Sequence, residues 1–540
     1  MGLKMTTQSL NFPRKFLLIP LGVVVLVALA IRLSSINYGL PHIYHMEEPY
    51  YSEAAWGLAC QSNLNSSLLQ PQTFMFALSV FSIDRFQVTE ACSAVEQEKN
   101  QSVILAGRLV SVATGTLAVL VIFQLGTVLF DAPVGLLSAV FLALNFLHAR
   151  ESQHATPDVT TTMFIAAALL SYVPIARGKI TYPRYLIAGI LTVFAITGRP
   201  TSVLLMLPFA YAHFAGQGVW KDRTRQNIIR ALVSPKVAFT GTVMVITLVF
   251  LSPQILVSPI DYLRYWRSFL GRGSGGGFGR IQVDPLPAPL FYLRAIEWGA
   301  GLLLALVMGA GVIWAIRRRT LGDILLVSFI IPYFILASIT GVYFARYIIP
   351  ILPLIGLLAA RLLWEIVPQG RRLLWVGGAA AILLIQPVER IARYTHIQAQ
   401  TDTRTIASHW IAENIPPGSK LALEWHTPAV DDRVYEYNTV DFYGLSVHDL
   451  EKYVEEGYEY LIVSSFIRDV VLLRPDADSE KRAFYQQLAE QAELIYELTP
   501  YTTQEAPPYK IDQVLGPITS LDQMERPGPI IQIYHLTRDT

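Results

Sequence analysis

The residues best placed to do chemistry are two neighbouring acids, Glu47 and Glu48, in His45-Met46-Glu47-Glu48-Pro49-Tyr50-Tyr51. They follow the apolar run Phe16 to Ile31, which is preceded by Arg14 and Lys15. That run is about the length a bilayer crossing needs. Basic flanks stay cytoplasmic, so the acids are expected on the outer face. A carboxylate there can take the proton of an attacking hydroxyl. The same pair can equally be the acidic start of a helix that opens near Pro49, where negative charge faces the positive end of the helix dipole. Adjacent side chains diverge on a strand and on a helix. The two acids therefore divide the work, one facing a reaction and the other positioning it.

A second group is His148-Ala149-Arg150-Glu151-Ser152-Gln153-His154-Ala155-Thr156-Pro157-Asp158. Asp158 follows a proline and reads either as a further functional acid or as a helix-start acid. His148 and His154 read as interface residues before metal ligands or proton carriers. No His-Glu-x-x-His motif and no Cys/His cluster accompanies them. Arg108, Arg199 and Arg346 lie with Arg150 at the expected outer ends of apolar segments. A guanidinium binds phosphate oxygens bidentately, and the bland alternative is snorkelling to lipid head groups. No nucleotide fingerprint, phosphate-cradling loop or Gly-x-Ser-x-Gly elbow is present. The energy for any group transfer must then arrive in a lipid-linked donor.

These residues must be held by the elements around them. The chain has 540 residues, 53% of them hydrophobic and 15% charged, with a mean hydropathy of +0.41. A soluble protein carries roughly a quarter charged residues, so a polytopic membrane protein is expected. The net charge of +1 offers nucleic acid no electrostatic footprint. Apolar segments at 15–34, 104–129, 134–148, 158–176, 184–198, 201–217, 236–252, 296–316, 321–341, 345–362 and 372–388 predict about eleven transmembrane helices. Lys and Arg collect in alternate loops: 177–184, 221–236, 317–319 and 361–372. That bias places the N-terminus in the cytoplasm and the C-terminus outside.

Two outer loops are long, 35–102 and 252–297. The first holds both cysteines, Cys60 and Cys92, either a disulfide or two unrelated small residues. The second holds the glycine cluster at 271–279, either a mobile lid or a disordered tip. The reading divides the chain into a transmembrane unit, 1–390, and a C-terminal soluble α/β domain, 391–540. In the latter, Asp402 to Asn414 predicts a helix capped by Asp402. Strands are expected at Lys420 to Glu424, Tyr458 to Ser464 and Ile530 to Leu536, and a helix at Lys481 to Glu497.

The chain resembles the C-type membrane glycosyltransferases, the group of protein O-mannosyltransferases and lipid A aminoarabinose transferases. The likeness lies in Arg32-Leu33-Ser34-Ser35-Ile36-Asn37-Tyr38-Gly39-Leu40-Pro41, then His45 to Tyr51, the Arg108 segment, His148 to Asp158, and Tyr343-Phe344-Ala345-Arg346-Tyr347-Ile348-Ile349-Pro350-Ile351-Leu352-Pro353. It covers about the first 390 residues. Where the family typically shows His-Pro-Asp-Glu, this chain has Met46 for the proline and Glu47 for the aspartate. The resemblance implies an inverting glycosyltransferase of the plasma membrane and cell envelope. It would move a sugar from a polyprenyl-phosphate donor to a hydroxyl on a protein, lipid or glycan. Glu47 would be the base, with Glu48 and Asp158 in support. Arg108, Arg150, His154, Arg199, Tyr343 and Arg346 would bind the lipid phosphate and sugar, with Arg108 facing the phosphate. No cofactor is required on this reading; a divalent metal on the paired acids is the less favoured variant. The alternatives are a lipid transporter or flippase, which calls for pseudo-symmetric halves and midplane charges, and a non-catalytic scaffold.

Overall fold

A computed structural model describes residues 15–51, 74, 96–220, 222–271, 286–339, 343–440, 444–473, 479–503 and 505–536. Cys60, Cys92 and residues 272–279 of the glycine cluster lie outside the described residues, and with them the disulfide and lid expectations.

Helices dominate, and most of the long ones are apolar, as a lipid-facing bundle requires. They are α1 (Lys15–Leu33), α2 (Glu96–Leu129), α3 (Ala132–Ala143), α4 (Phe146–Glu151), α5 (Pro157–Ala176), α6 (Tyr182–Gly198) and α7 (Met206–Gly216). Then come α8 (Arg225–Leu232), α9 (Pro235–Leu251), α10 (Pro259–Gly271), α11 (Ala288–Ala300), α12 (Leu302–Arg318), α13 (Leu321–Ser338), α14 (Leu352–Ile366) and α15 (Arg372–Gln398). Among the described residues six helices are long and apolar enough to cross a membrane, or seven if α11 and α12 count as one bent span. Large apolar side chains on α1, α9 and α15, such as Ile19, Phe250 and Trp375, point outward where lipid would stand. The molecule is built as an integral membrane protein. Small residues set the inner packing. A Cβ on Gly135 would collide with the Phe123 carbonyl oxygen, so only glycine lets α3 lie this close on α2.

The described residues of all eleven apolar segments are mainly helical, but four segments depart from the single spans expected: 201–217 and 345–362 open with 3₁₀ turns, Pro200–Leu205 and Ala345–Ile351, and two others are interrupted. The 296–316 segment breaks at Gly301, with a bend of 119° between α11 and α12. Gly301 takes a positive φ of 75°, and the Gln386 side chain accepts from the Leu302 N–H at 2.7 Å. The 134–148 segment stops at Ala143. The Asn145 side chain accepts from the His148 N–H at 3.0 Å and starts the separate helix α4. A polar cap inside an apolar run outweighed the hydropathy, and it turns the 148–158 group into the site.

Beyond α15, whose last residue is Gln398, the chain forms helix α16 (Thr403–Asn414) and a five-stranded sheet. Asp402 caps α16 as expected, accepting from the Arg404 N–H at 2.9 Å. The strands are β1 (Lys420–Leu423), β2 (Glu436–Thr439), β3 (Tyr460–Ser464), β4 (Glu493–Leu498) and β5 (Ile531–His535), in the order β2-β1-β3-β5-β4. β1 runs parallel to β2 and β3, while β5 is antiparallel to β3 and β4. The expected helix at Lys481 to Glu497 is corrected: the helix is Ser479–Gln491, and Glu493 to Leu498 pairs with β5 instead. Strand β2 went unforeseen because its residues are exposed and carry no apolar alternation.

Candidate functional site

After α1 the chain makes a series of tight turns and becomes helical again at 48–51. Glu48 opens that helical stretch and is fully buried. Its two oxygens accept from Arg108 Nε at 2.8 Å and Nη2 at 2.7 Å, and Oε1 also accepts from the Ala155 N–H at 2.9 Å. Arg108 spends its remaining arm on the carbonyls of Ile36, at 2.7 Å, and Tyr38, at 2.8 Å. The pair thus ties the 36–48 segment to α2 and to the 148–158 group. Burial pushes the Glu48 carboxyl up, but the Arg108 guanidinium outweighs it and holds the group below the ordinary range.

Glu47, one residue earlier, faces elsewhere. Both its oxygens accept from the Arg346 guanidinium. Arg346 projects from a 3₁₀ turn (Ala345–Ile351) that leads into α14, and the Asp512 side chain accepts from the Ala345 N–H at 2.7 Å. The Glu47 side chain remains 24% exposed against 5% for Arg346. Beside them Arg199 pairs with Asp158 and lies 4.5 Å above the Tyr347 ring. Arg199 and Asp158 are near enough to Arg346 to feel its charge.

The 148–158 group completes the wall. His154 stacks on His45 with ring centroids 4.4 Å apart, and its Nδ1 is 3.8 Å from Glu48. His45 Nδ1 accepts from the Glu47 N–H at 3.3 Å, so the neutral ring carries its proton on Nε2. Burial drives both imidazoles well below their ordinary value and keeps them neutral. Arg150 pairs with Glu151 and donates to the Gly516 carbonyl at 2.8 Å. Burial pushes the Glu151 carboxyl up to about 7, against the pull of Arg150. His148 Nδ1 meets Arg32 at 3.0 Å.

The structure thus gathers Glu47, Glu48, Arg108, Arg150, His154, Asp158, Arg199 and Arg346 at one end of the bundle. Two expected roles change. Arg108 is 1% exposed and makes four hydrogen bonds within the protein, so it holds Glu48 rather than facing a phosphate. Tyr343 donates to the Leu286 carbonyl and packs on Phe291 at 4.8 Å, so its hydroxyl is engaged within the protein. Tyr347 takes the ring position beside the arginines. Sequence reasoning also missed Arg32, Glu151 and Asp512. Arg32 and Glu151 carried a signal, as ionisable residues within or beside apolar segments. Asp512 carried none, since it comes from a segment distant in the chain. Among the described residues no group of three or more His, Cys, Asp or Glu side chains is arranged to hold a metal ion.

The family model of dolichyl-phosphate-mannose-protein mannosyltransferases matches residues 100–256, which include Arg108, the 148–158 group and Arg199. Several solved structures share the fold. ArnT from Cupriavidus metallidurans, solved with undecaprenyl phosphate, matches with a TM-score of 0.54 at 12% identity over 96% of this chain and 98% of its own. The archaeal oligosaccharyltransferase AglB from Archaeoglobus fulgidus, solved with an inhibitory peptide and a dolichol-phosphate, gives 0.56 at 12% identity over 95% and 78%. The same enzyme tethered to an acceptor peptide gives 0.58 at 13% over 87% and 72%. No curated protein matches significantly in sequence. The resemblance to the C-type membrane glycosyltransferases therefore holds in fold across nearly the whole chain and in sequence over residues 100–256.

Proposed function

We propose that this protein is an inverting glycosyltransferase that moves a sugar from a polyprenyl-phosphate donor to an acceptor hydroxyl at the outer face of the membrane. The observation that carries the reading is the open Glu47–Arg346 pair. The Glu47 side chain is 24% exposed, whereas those of Glu48, Asp158 and Glu151 are at most 1% exposed. The lipid phosphates bound in the solved structures of ArnT and AglB support the donor class.

In the reaction, the acceptor hydroxyl gives its proton to Glu47 as its oxygen bonds to the anomeric carbon. The bond from that carbon to the phosphate oxygen breaks from the opposite side, and its electron pair leaves on the lipid phosphate. Arg346 and Arg199 meet that charge, with planar forks suited to phosphate oxygens. Arg346 exchanges Glu47 for phosphate as the donor enters, which frees the base. Glu48, Arg108 and Asp158 position these groups. Because each acid of the 47–48 pair already faces its own guanidinium, the transfer runs without a metal between them, and chelation of divalent ions should leave turnover unchanged. The charge bias of the loops supports a cytoplasmic N-terminus, about eleven crossings and an outer C-terminal α/β domain.

The test is Glu47→Gln, assayed with a polyprenyl-phosphate sugar. Transfer should fall by about 10²–10⁴-fold, the usual worth of a general base, with the fold intact. Undiminished turnover would remove Glu47 from the chemistry.

A further inference from the structure

The turn that carries Arg346 is held from outside its own helix. Its cap residue, Phe344, gives the turn no side-chain acceptor, so the Ala345 N–H opens the helix as an orphan donor. Asp512 fills that place from 167 residues away, its Oδ1 accepting at 2.7 Å. On the far side of Arg346, the Tyr347 carbonyl accepts from the Tyr333 hydroxyl at 2.9 Å. Arg346 therefore lies between two anchors. Ala345 and Asp512 are both buried, so water cannot stand in for the carboxylate. Asp512 is itself held. It belongs to a 3₁₀ turn, Ile511–Leu515. Arg150 of α4 donates to the carbonyl of Asp512 at 3.1 Å and to that of Gly516 at 2.8 Å, so one guanidinium grips both ends of the turn. Ile511, Val514 and Leu515 share an apolar cluster with Phe344, and Met46 and Tyr347 pack against it. Met46 precedes Glu47 and Tyr347 follows Arg346. The 511–516 segment thus lies against the neighbours of both members of the open pair.

We propose that Asp512 is a positioning residue for the transfer: through the Ala345 N–H it fixes the turn from which Arg346 leaves Glu47 and takes the donor phosphate. The inference rests on the glycosyl-transfer reading and extends its machinery to the C-terminal part of the chain. The exchange asks the guanidinium to move while its Cα stays in place. A backbone shift of about 1 Å at such a group can cost 10²-fold in rate, so the support must be firm. A buried side-chain oxygen on the first N–H gives that firmness, and Arg150 passes it on from α4. The Ala345 N–H needs one lone pair and no charge. An amide oxygen at position 512 should therefore serve nearly as well as the carboxylate, whereas an apolar side chain of similar size should not.

The experiment uses the full chain in nanodiscs and reads two quantities, the affinity for undecaprenyl phosphate and amide exchange over residues 344–351. Asp512→Leu should speed that exchange and weaken lipid-phosphate binding about tenfold, the order of one buried hydrogen bond. Asp512→Asn should restore both to near the wild-type values. Leu488→Ala, in the apolar core of the C-terminal sheet, controls for stability alone: it should lower the melting temperature and leave both readouts as they are. Exchange and binding unchanged in Asp512→Leu would overturn the proposal. So would an Asn variant as impaired as the Leu variant, or a loss of binding in Leu488→Ala equal to that in Asp512→Leu. Binding unchanged in Arg346→Leu would instead overturn the phosphate role of Arg346 in the catalytic reading, while faster exchange in Asp512→Leu would still mark Asp512 as the holder of its turn.

Discussion

Glu47 and Glu48 are neighbours in the chain, of the same type, and each is held at both oxygens by an arginine. Their surroundings nonetheless differ in kind. Around Glu48, Arg108 comes from α2, two backbone carbonyls take its other arm, and an amide from the 148–158 group completes the acid. Water has no access. Around Glu47, Arg346 comes from a short 3₁₀ turn, and the carboxylate keeps an open side. A closed, saturated pair has no capacity left for a ligand, so it fixes geometry. An open pair can exchange one partner for another, which is what a base beside an anionic donor must do. Identity of residue type predicts neither role; the count of completed hydrogen bonds and the access of water decide both.

Four measurements press on this contrast. The largest effect is expected from Glu47→Gln, about 10²–10⁴-fold in transfer with little change in melting. Next is Arg108→Leu, which strands the buried Glu48 charge and should cost about 3–5 kcal/mol of stability. Adding Glu48→Leu should return much of that, and thermal unfolding of the two singles and the double would measure the coupling. If Arg108→Leu instead kept full stability and weakened only donor affinity, the closed pair would be a ligand site after all. Asp158→Asn should be milder. It loosens Arg199, whose side chain is 17% exposed, so a KM for donor raised about tenfold is expected, equivalent to about 1.4 kcal/mol, with kcat falling less.

The smallest effect is on pH dependence in the C-terminal sheet. Glu424 follows β1 and is buried, and burial pushes its carboxyl up to about 7 despite hydrogen bonds from the Tyr485 hydroxyl and the Ser464 N–H. A carboxyl raised in the folded state binds its proton more tightly there. Its contribution to stability is therefore complete below its unfolded value near 4.5 and is lost as pH rises through about 7. Tyr485→Phe removes a hydrogen bond that favours the ionised form, so the window should extend to higher pH. Amide exchange in β1 and β3, followed across pH, would read it. A flat profile from pH 4 to 8 would show that Glu424 does not titrate in that window.

Much of the architecture was legible in composition. Runs of apolar residues with few charges have one stable environment, and every such run proved mainly helical. Turn and cap chemistry gave Asp402 and the helix behind Pro157. The departures have local causes that hydropathy averages away. Gly301 admits a backbone bend, Asn145 supplies a cap inside an apolar run, and Glu493 to Leu498 pairs with β5 where a continued helix was expected. The candidate site was legible as a set of residue types, because charges at the ends of apolar helices are costly and need a reason.

What the sequence alone determined, then, is the membrane-embedded bundle and the inventory of charges at its end, since both follow from transfer free energies that each residue carries with it. Which charge meets which was decided only by the tertiary structure. Arg108 is 60 residues from Glu48, Arg346 is 299 from Glu47, and Asp512 is 167 from the Ala345 amide it caps. Ion pairing depends on distance and on the exclusion of water, and both arise only when helices and loops far apart in the chain are packed together.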